Sequence, residues 1–114
     1  MPKPDATRIS KADAIAQLAK WHIAETEVRA TYRAVTGTTS ITGKIRELDH
    51  SAIKIAGIDC EMLWYFRETS EYEYEDAREP ETEANKERRN KYPIVIDVKF
   101  STGEHLSILE CVRD

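Results

Sequence analysis

The residues able to carry out acid–base or metal chemistry are few and scattered along this chain of 114 residues. The three histidines, His22, His50 and His105, have no cysteine or second histidine at the spacing of a metal ligand set. Asp49 and His50 are neighbours in a predicted turn, where an aspartate is more typical of a backbone cap than of a catalytic pair. We therefore predict that the protein is not an enzyme and that it uses no metal and no cofactor.

The two cysteines, Cys60 and Cys111, form no C-x-x-C pair, and the N-terminal stretch has no apolar region typical of a signal peptide. No segment approaches the roughly 20 apolar residues that a membrane-spanning helix needs. We expect a cytoplasmic protein without a membrane segment. Its thiols should then be reduced and lie in the core or half-buried, rather than in a disulfide.

Basic side chains are the remaining candidates for function, because contacts with nucleic-acid phosphates need them. The chain has 17 basic and 21 acidic residues, and residues 68–91 alone hold nine acids against five bases. This balance disfavours RNA as a partner, and the acidic segment could instead dock a basic partner. RNA binding is the alternative function, and it would need five basic residues to gather on one face: Arg29, Arg33, Lys44, Arg46 and Lys54.

The first element that positions these residues is a helix, preceded by residues 1–9, which have two prolines and no periodicity and are predicted to be a flexible tail. Ser10, with Asp13 three residues later, is typical of a helix N-cap. A small apolar stripe then predicts a helix over 11–24: Ala12, Ile15, Ala16, Ala19 and Ile23. Trp21 lies off this stripe and is a candidate subunit contact.

From residue 27 onward the apolar residues alternate with a period of two, which predicts β-strands. The predicted strands are 27–36, 39–48, 52–58, 60–67, 71–76, 92–100 and 105–112. The charged stretch 77–91 is predicted to be a loop or a short solvated helix, and 92–112 to be a C-terminal hairpin. Closing short strands into a barrel removes exposed edges, so we predict one domain over 10–114, a strongly bent antiparallel barrel.

Aromatic side chains concentrate in and after the fourth predicted strand. Trp64 and Phe66 share one face of that strand, and we predict that both lie in the core. Tyr72 and Tyr74 alternate with glutamates, whose charge would repel a nucleic-acid backbone. We therefore predict that Tyr65, Tyr72 and Tyr74 lie at a strand edge or contact another subunit.

The segment 41–49 resembles the first signature of the Sm-like family, which includes the eukaryotic Sm proteins and bacterial Hfq. The matching residues are Ile41, Gly43, Ile45, Leu48 and Asp49. In this signature the glycine lets a strand bend across the barrel, the apolar residues fill it, and the aspartate caps the turn. The resemblance covers 10–76 and implies a mainly β fold, with the N-terminal helix leading into a small Sm-like or SH3-like barrel. The hairpin at 92–112 would be an addition that either pairs between subunits or covers a strand edge.

The positions at which this family binds RNA are not matched here. Ile53 stands where eukaryotic Sm proteins have a base-binding asparagine. The second signature should fall near Tyr65, where the sequence reads Tyr-Phe-Arg-Glu, so that only Tyr65 and Arg67 could replace its residues. The resemblance therefore implies a non-catalytic module that forms homo-oligomers through strand edges, with an RNA-binding, Hfq-like protein as the alternative.

A second resemblance concerns Arg29 and Arg33, followed by Asp49 and Ser51, which are similar to the R-x-x-x-R and (D/N)-x-S-x-x-G elements of PilZ domains. Those barrels bind cyclic di-GMP, and paired arginines can hold its phosphates and stack on guanine. Lys54 replaces the last glycine of the second element. A small-ligand or cyclic-dinucleotide binding domain is thus the third functional interpretation.

Overall fold

The alternating apolar residues form the strands of a single antiparallel sheet. The computed structural model describes residues 7–67, 70–76 and 94–111. Their elements are β1 (Thr7–Ile9), α1 (Lys11–Ile23), β2 (Glu27–Ala34), β3 (Gly37–Leu48), β4 (Ala52–Ala56), β5 (Glu61–Tyr65), β6 (Glu71–Asp76), β7 (Ile94–Lys99) and β8 (His105–Glu110). Each predicted strand is present, and the described strand boundaries agree with the prediction to within two residues.

The strand β1 lies in the segment that the sequence predicted to be a loose tail. It pairs antiparallel with β6, with Thr7 opposite Tyr74 and Ile9 opposite Tyr72. Three residues carry too little alternation to be recognised as a strand, and the pairing comes entirely from the distant partner. The rest of the predicted tail, residues 1–6, and the predicted charged loop, 77–91, lie outside the described residues.

The strand order is β1-β6-β7-β8-β2-β3-β4-β5, so β1 and β5 are the outermost strands of the described sheet. In this part of the chain the sheet is therefore open, where the sequence predicted a closed barrel. The predicted hairpin, β7 and β8, lies in the middle of the sheet, because β7 pairs with β6 and β8 pairs with β2. It covers the edge of β2 within its own chain.

The open sheet is rolled around its apolar face. Five strands separate β5 from β6 in the sheet order, yet the ring of Phe66, just after β5, lies 6.2 Å from the ring of Tyr72 on β6. The Tyr72 hydroxyl also donates a hydrogen bond to the Arg67 carbonyl at 3.4 Å. Contact between positions so far apart in the strand order requires strong curvature, which sheet twist supplies.

The inner face of the rolled sheet holds the core. The four isoleucines of the predicted barrel interior are buried, which confirms that expectation: Ile41, Ile45, Ile53 and Ile55. Trp64 and Phe66 are buried as well, as predicted. The hairpin also contributes fully buried side chains to the core: Ile96, Val98, Leu106 and Ile108.

The helix α1 packs on this inner face, against β3 and β6. The predicted N-cap is confirmed, since the Asp13 backbone N–H donates to the Ser10 hydroxyl at 3.1 Å. The predicted buried stripe is wrong: Ala14, Leu18 and Trp21 are buried, whereas Ile23 is 83% exposed. Trp21 and Leu18 remove more apolar area from water than the alanine-rich stripe would. Within the described residues, no helix is long and apolar enough to cross a bilayer.

Candidate functional site: the β5 edge

The strand β5 is the last strand of the described sheet on one side. It pairs on one side with β4, and no strand of the described residues pairs with its other side. Phe66 N–H donates to the Ser51 carbonyl, and Gly57 N–H donates to the Cys60 carbonyl. Because hydrogen-bonded pairs alternate in an antiparallel ladder, residues 62 and 64 also bond towards β4. The N–H and C=O groups of Glu61, Leu63 and Tyr65 therefore point to the open edge.

The outward-facing side chains of β5 are apolar in its centre. Leu63 is 44% exposed and Tyr65 is 66% exposed, whereas Trp64, between them, points inward and is 6% exposed. Glu61 begins the strand and Arg67 follows it, and both are exposed. An apolar strand with an unpaired backbone edge is a template for pairing with another chain.

A shallow cavity of about 190 Å³ lies beside the C-terminal end of β5. Its walls combine aromatic rings with a charged pair: Tyr32, Leu63, Trp64, Tyr65, Arg67, Phe100 and Glu104. The Tyr32 ring lies 6.2 Å from that of Trp64 and 6.4 Å from that of Phe100. Burial, and then the nearby Glu104 carboxylate, raise the pKa of Tyr32. The Arg67 guanidinium lies 4.0 Å from the Glu104 carboxylate, which ties the end of β5 to the β7–β8 turn.

The turn between β3 and β4 holds the start of β4, the strand with which β5 pairs. One oxygen of Asp49 accepts hydrogen bonds from the Ser51 N–H at 2.7 Å, the Ser51 hydroxyl at 2.8 Å and the Ala52 N–H at 2.9 Å. The predicted capping role of Asp49 is thereby confirmed. The hydrogen bonds from Ser51, and then that from Ala52, lower the pKa of Asp49. A carboxylate held in this way stabilises the turn in its charged form.

Gly43 allows β3 to pass against the end of β4. A Cβ atom at this position would lie 1.9 Å from the Ala56 carbonyl oxygen, far inside any real contact distance. The register of the β3–β4 pair shifts just beyond, between Ile45 and Glu47, as in a β-bulge. Gly43 therefore permits the close approach that the sequence pattern indicated for this glycine.

Four of the five basic residues proposed for RNA contact lie on the outer face: Arg29 and Arg33 on β2, Lys44 on β3 and Lys54 on β4. The buried residues of these strands alternate with them: Val28, Ala30, Ile45, Ile53 and Ile55. Arg46 falls at the bulge of β3. Carboxylates lie close to two of these basic side chains. Lys54 lies 3.2 Å from Glu47 and 4.0 Å from Glu61, and Lys44 lies 4.0 Å from Glu25. The structure thus brings most of the basic residues to one face, but not as a separate basic patch.

The four predicted subunit contacts lie in different environments. Trp21 and Tyr72 are each 3% exposed, and Tyr74 is partly buried and packs against the core. Tyr65 alone among the four is widely exposed. β6 is not an edge strand, because β1 and β7 flank it on its two sides. The alternation of Tyr72 and Tyr74 with glutamates instead separates the inner face of β6 from its outer face.

A cluster that the sequence did not reveal lies on the outer face of β7 and β8. The Asp97 carboxylate accepts a hydrogen bond from the Ser107 hydroxyl at 2.6 Å and lies 3.5 Å from the His105 imidazole. Because the Ser107 hydroxyl donates its hydrogen to the Asp97 carboxylate, this hydrogen is not directed at the imidazole. Only the hairpin register, with Asp97 opposite Ser107, brings these residues together.

A larger open cavity, of about 920 Å³, lies beside the end of β4, the start of β5 and the middle of β3. Both charge signs line it, with Lys44 and Arg46 facing Glu27, Asp59 and Glu61. Cys60 also lines this cavity; it is free and exposed, whereas the sequence placed it in the core or half-buried. The other cysteine, Cys111, is free and half-buried, and burial raises the pKa of its thiol.

Comparisons of the chain with family models, with curated proteins and with solved structures found no match. The functional argument therefore depends on the geometry described above.

Proposed function

We propose that this protein is a non-catalytic interaction module that associates with copies of itself through the edge of β5. The observation that carries the proposal is the open backbone of Glu61, Leu63 and Tyr65 beside two exposed apolar side chains. Addition of a strand to such an edge satisfies the backbone groups and covers Leu63 and Tyr65 in the same step.

The non-catalytic part of the proposal is supported by the positions of the acid–base candidates. Asp49 accepts the hydrogen bonds of the turn that it caps, and Asp97 accepts the hydroxyl hydrogen of Ser107 beside His105. Both arrangements are typical of groups that hold strands and turns together.

The finer fold assignment, an Sm-like or SH3-like barrel, is also part of this proposal. The close approach of β3 to Ala56 at Gly43, the capping by Asp49 and the buried isoleucines support it. The central position of the hairpin, between β6 and β2, departs from a five-stranded core with an appended hairpin. The resemblance therefore supports a fold class, and the β5 edge supports the function.

Sedimentation velocity across a range of protein concentrations tests self-association directly. We expect a concentration-dependent oligomer that Leu63→Lys disrupts, because an edge lysine opposes strand pairing. Val35→Lys is the matched control, since Val35 is also an exposed aliphatic residue but lies in the β2–β3 turn. A protein that stays monomeric at high concentration would overturn the proposal.

RNA binding is the second candidate, favoured by the placement of Arg29, Arg33, Lys44 and Lys54 on one face. Salt-dependent retention on oligo(U) or oligo(A) would support it, because counterion release makes such binding weaken with salt. Arg33→Ala should reduce that retention more than Lys54→Ala, since Lys54 is already paired with Glu47. Absence of retention at low salt would exclude this function.

A further inference from the structure

The open edge of β5 is complementary to itself. From residue 61 to residue 67 the outward-facing residues are Glu61, Leu63, Tyr65 and Arg67, with an acid at one end and a base at the other. An antiparallel copy of the same segment presents the opposite order of charges. We propose that two copies pair through β5 in an antiparallel arrangement, with a two-fold axis at Leu63. This inference rests on the proposed self-association and specifies its partner and its register.

The backbone pattern selects this register. The N–H and C=O groups of residues 61, 63 and 65 point to the open edge, so these three residues can form the hydrogen-bonded pairs of a new ladder. With the axis at Leu63, Glu61 pairs with Tyr65 of the second copy, Leu63 with Leu63, and Tyr65 with Glu61. All of β5 is then used, in about six hydrogen bonds. A shift of two residues in one direction sets Tyr65 opposite Asp59, which lies outside β5. A shift in the other direction sets Glu61 opposite Arg67, whose C=O already accepts hydrogen bonds from the Ser70 N–H and the Tyr72 hydroxyl.

The side chains agree with this register. The two Leu63 side chains lie opposite one another at the axis and shield each other from water. Arg67 lies on the same face as Tyr65 and falls diagonally across from Glu61 of the second copy, within reach of a long side chain. The pair is formed twice by symmetry, so the charges at the two ends of the interface complement each other.

The two-fold pairing through β5 is limited to two copies of the chain. A two-fold interface uses the β5 edge of both copies, so no further copy can add there. We therefore expect a dimer instead of a ring or a filament.

A proline substitution at the centre of the edge tests the pairing through β5 in the full chain. Leu63→Pro removes an N–H group that points away from β4, so the β4–β5 ladder keeps its hydrogen bonds and the protein should fold. We expect this variant to be monomeric in sedimentation velocity with an unchanged circular dichroism spectrum. Leu63→Ala, the matched control, keeps the N–H group and should still dimerise, about tenfold more weakly.

A charge exchange gives a second, independent measurement. Glu61 and Arg67 lie about 20 Å apart within one extended strand segment, too far to interact in the same chain. Glu61→Lys and Arg67→Glu should each raise the dimer dissociation constant about tenfold. The double variant should return it to within about threefold of the original, since the attraction is restored between copies.

The outcomes separate the two proposals. A chain that is monomeric at every concentration would overturn the proposed function and this inference together. A dimer that survives Leu63→Pro, or a double variant that shows no recovery, would overturn the antiparallel pairing through β5 and leave self-association standing. If Leu63→Pro does not fold, recovery of the dimer in the double variant still tests the antiparallel pairing.

Discussion

The two outermost strands of the described sheet differ in length and in chemistry. β1 has three residues, and its central side chain, Arg8, forms an ion pair with Glu71 on the neighbouring strand, with a nitrogen–oxygen distance of 2.7 Å. β5 has five residues and exposes Leu63 and Tyr65. A short edge with a charged side chain discourages the addition of a strand, and a longer apolar edge favours it.

The difference shows how one sheet can block strand addition at one edge, β1, and allow it at the other, β5. β1 depends on β6 for its conformation, whereas β5 is anchored by its inward-facing residues and by the turn that precedes β4. The anchoring residues can be changed without altering the outward face, and the outward face can be changed without unfolding the sheet. The predictions below use this separation, from the largest expected effect to the smallest.

The strongest anchor of β5 is Trp64. Trp64→Ala should lower the free energy of unfolding by about 4 kcal/mol, because it leaves a large cavity against Tyr32. The neighbouring Tyr65→Ala should change it by less than about 0.5 kcal/mol, since Tyr65 is exposed. Urea unfolding monitored by circular dichroism measures both. Equal effects of the two substitutions would contradict the assignment of inner and outer faces.

Disturbing the close approach at Gly43 should have the second largest effect on the free energy of unfolding. Gly43→Ala places a methyl group against the Ala56 carbonyl, so β4 and β5 must move away from β3, at a cost of about 3 kcal/mol. Thr42→Ala, an exposed position on the same strand, is the control and should have little effect. Unfolding midpoints in urea would show the difference, and a Gly43→Ala variant as stable as the original chain would refute the close approach.

The Asp49 cap should give a smaller effect that depends on pH. Folding lowers the pKa of Asp49, so its stabilising contribution is present above the unfolded-state pKa of about 4 and disappears as the pH falls through the lower folded-state pKa. Asp49→Ala should therefore lower the urea midpoint at pH 7. The difference between the two proteins should vanish in strong acid. A difference that is the same at both pH values would show that the charge plays no part.

The ion pair on β1 should give the smallest effect. Both partners are largely exposed, so Arg8→Ala should lower the free energy of unfolding by no more than about 0.5 kcal/mol. Its more informative readout is association. If Arg8 protects the β1 edge, the variant should form larger species at high concentration, whereas the Lys99→Ala control should not. Unchanged sedimentation would mean that the shortness of β1 is sufficient protection.

The sequence predicted the strands well because alternation reports directly which residues share a face. It predicted the wrong face of α1, because several small apolar residues formed a more regular stripe than Ala14, Leu18 and Trp21. Burial of a helix face depends on the area that it covers, which periodicity alone does not measure.

The order of the strands in the sheet could not be predicted from the sequence pattern. Alternation gives each strand an inner and an outer face but does not say which edges meet. The pairing of β8 with β2 and of β1 with β6 joins residues far apart in the chain, and these pairings leave β5 at one edge of the described sheet. For the same reason, the sequence grouped Tyr65 with Tyr72 and Tyr74, and only the assembled sheet distinguishes the exposed Tyr65 from the buried Tyr72.

The pairing of β2 with β8 also bears on how the protein acquires its fold as it is synthesised. Val28 on β2 pairs with Glu110 on β8, so β2 cannot complete its pairing until β8 has been synthesised. Until β7 and β8 have emerged from the ribosome, both β2 and β6 have an unsatisfied side. Pairings that span so much of the chain are slow to form and leave nascent polypeptides open to unwanted contacts. A chain ending before Ile94 should therefore aggregate rather than persist as a smaller folded unit.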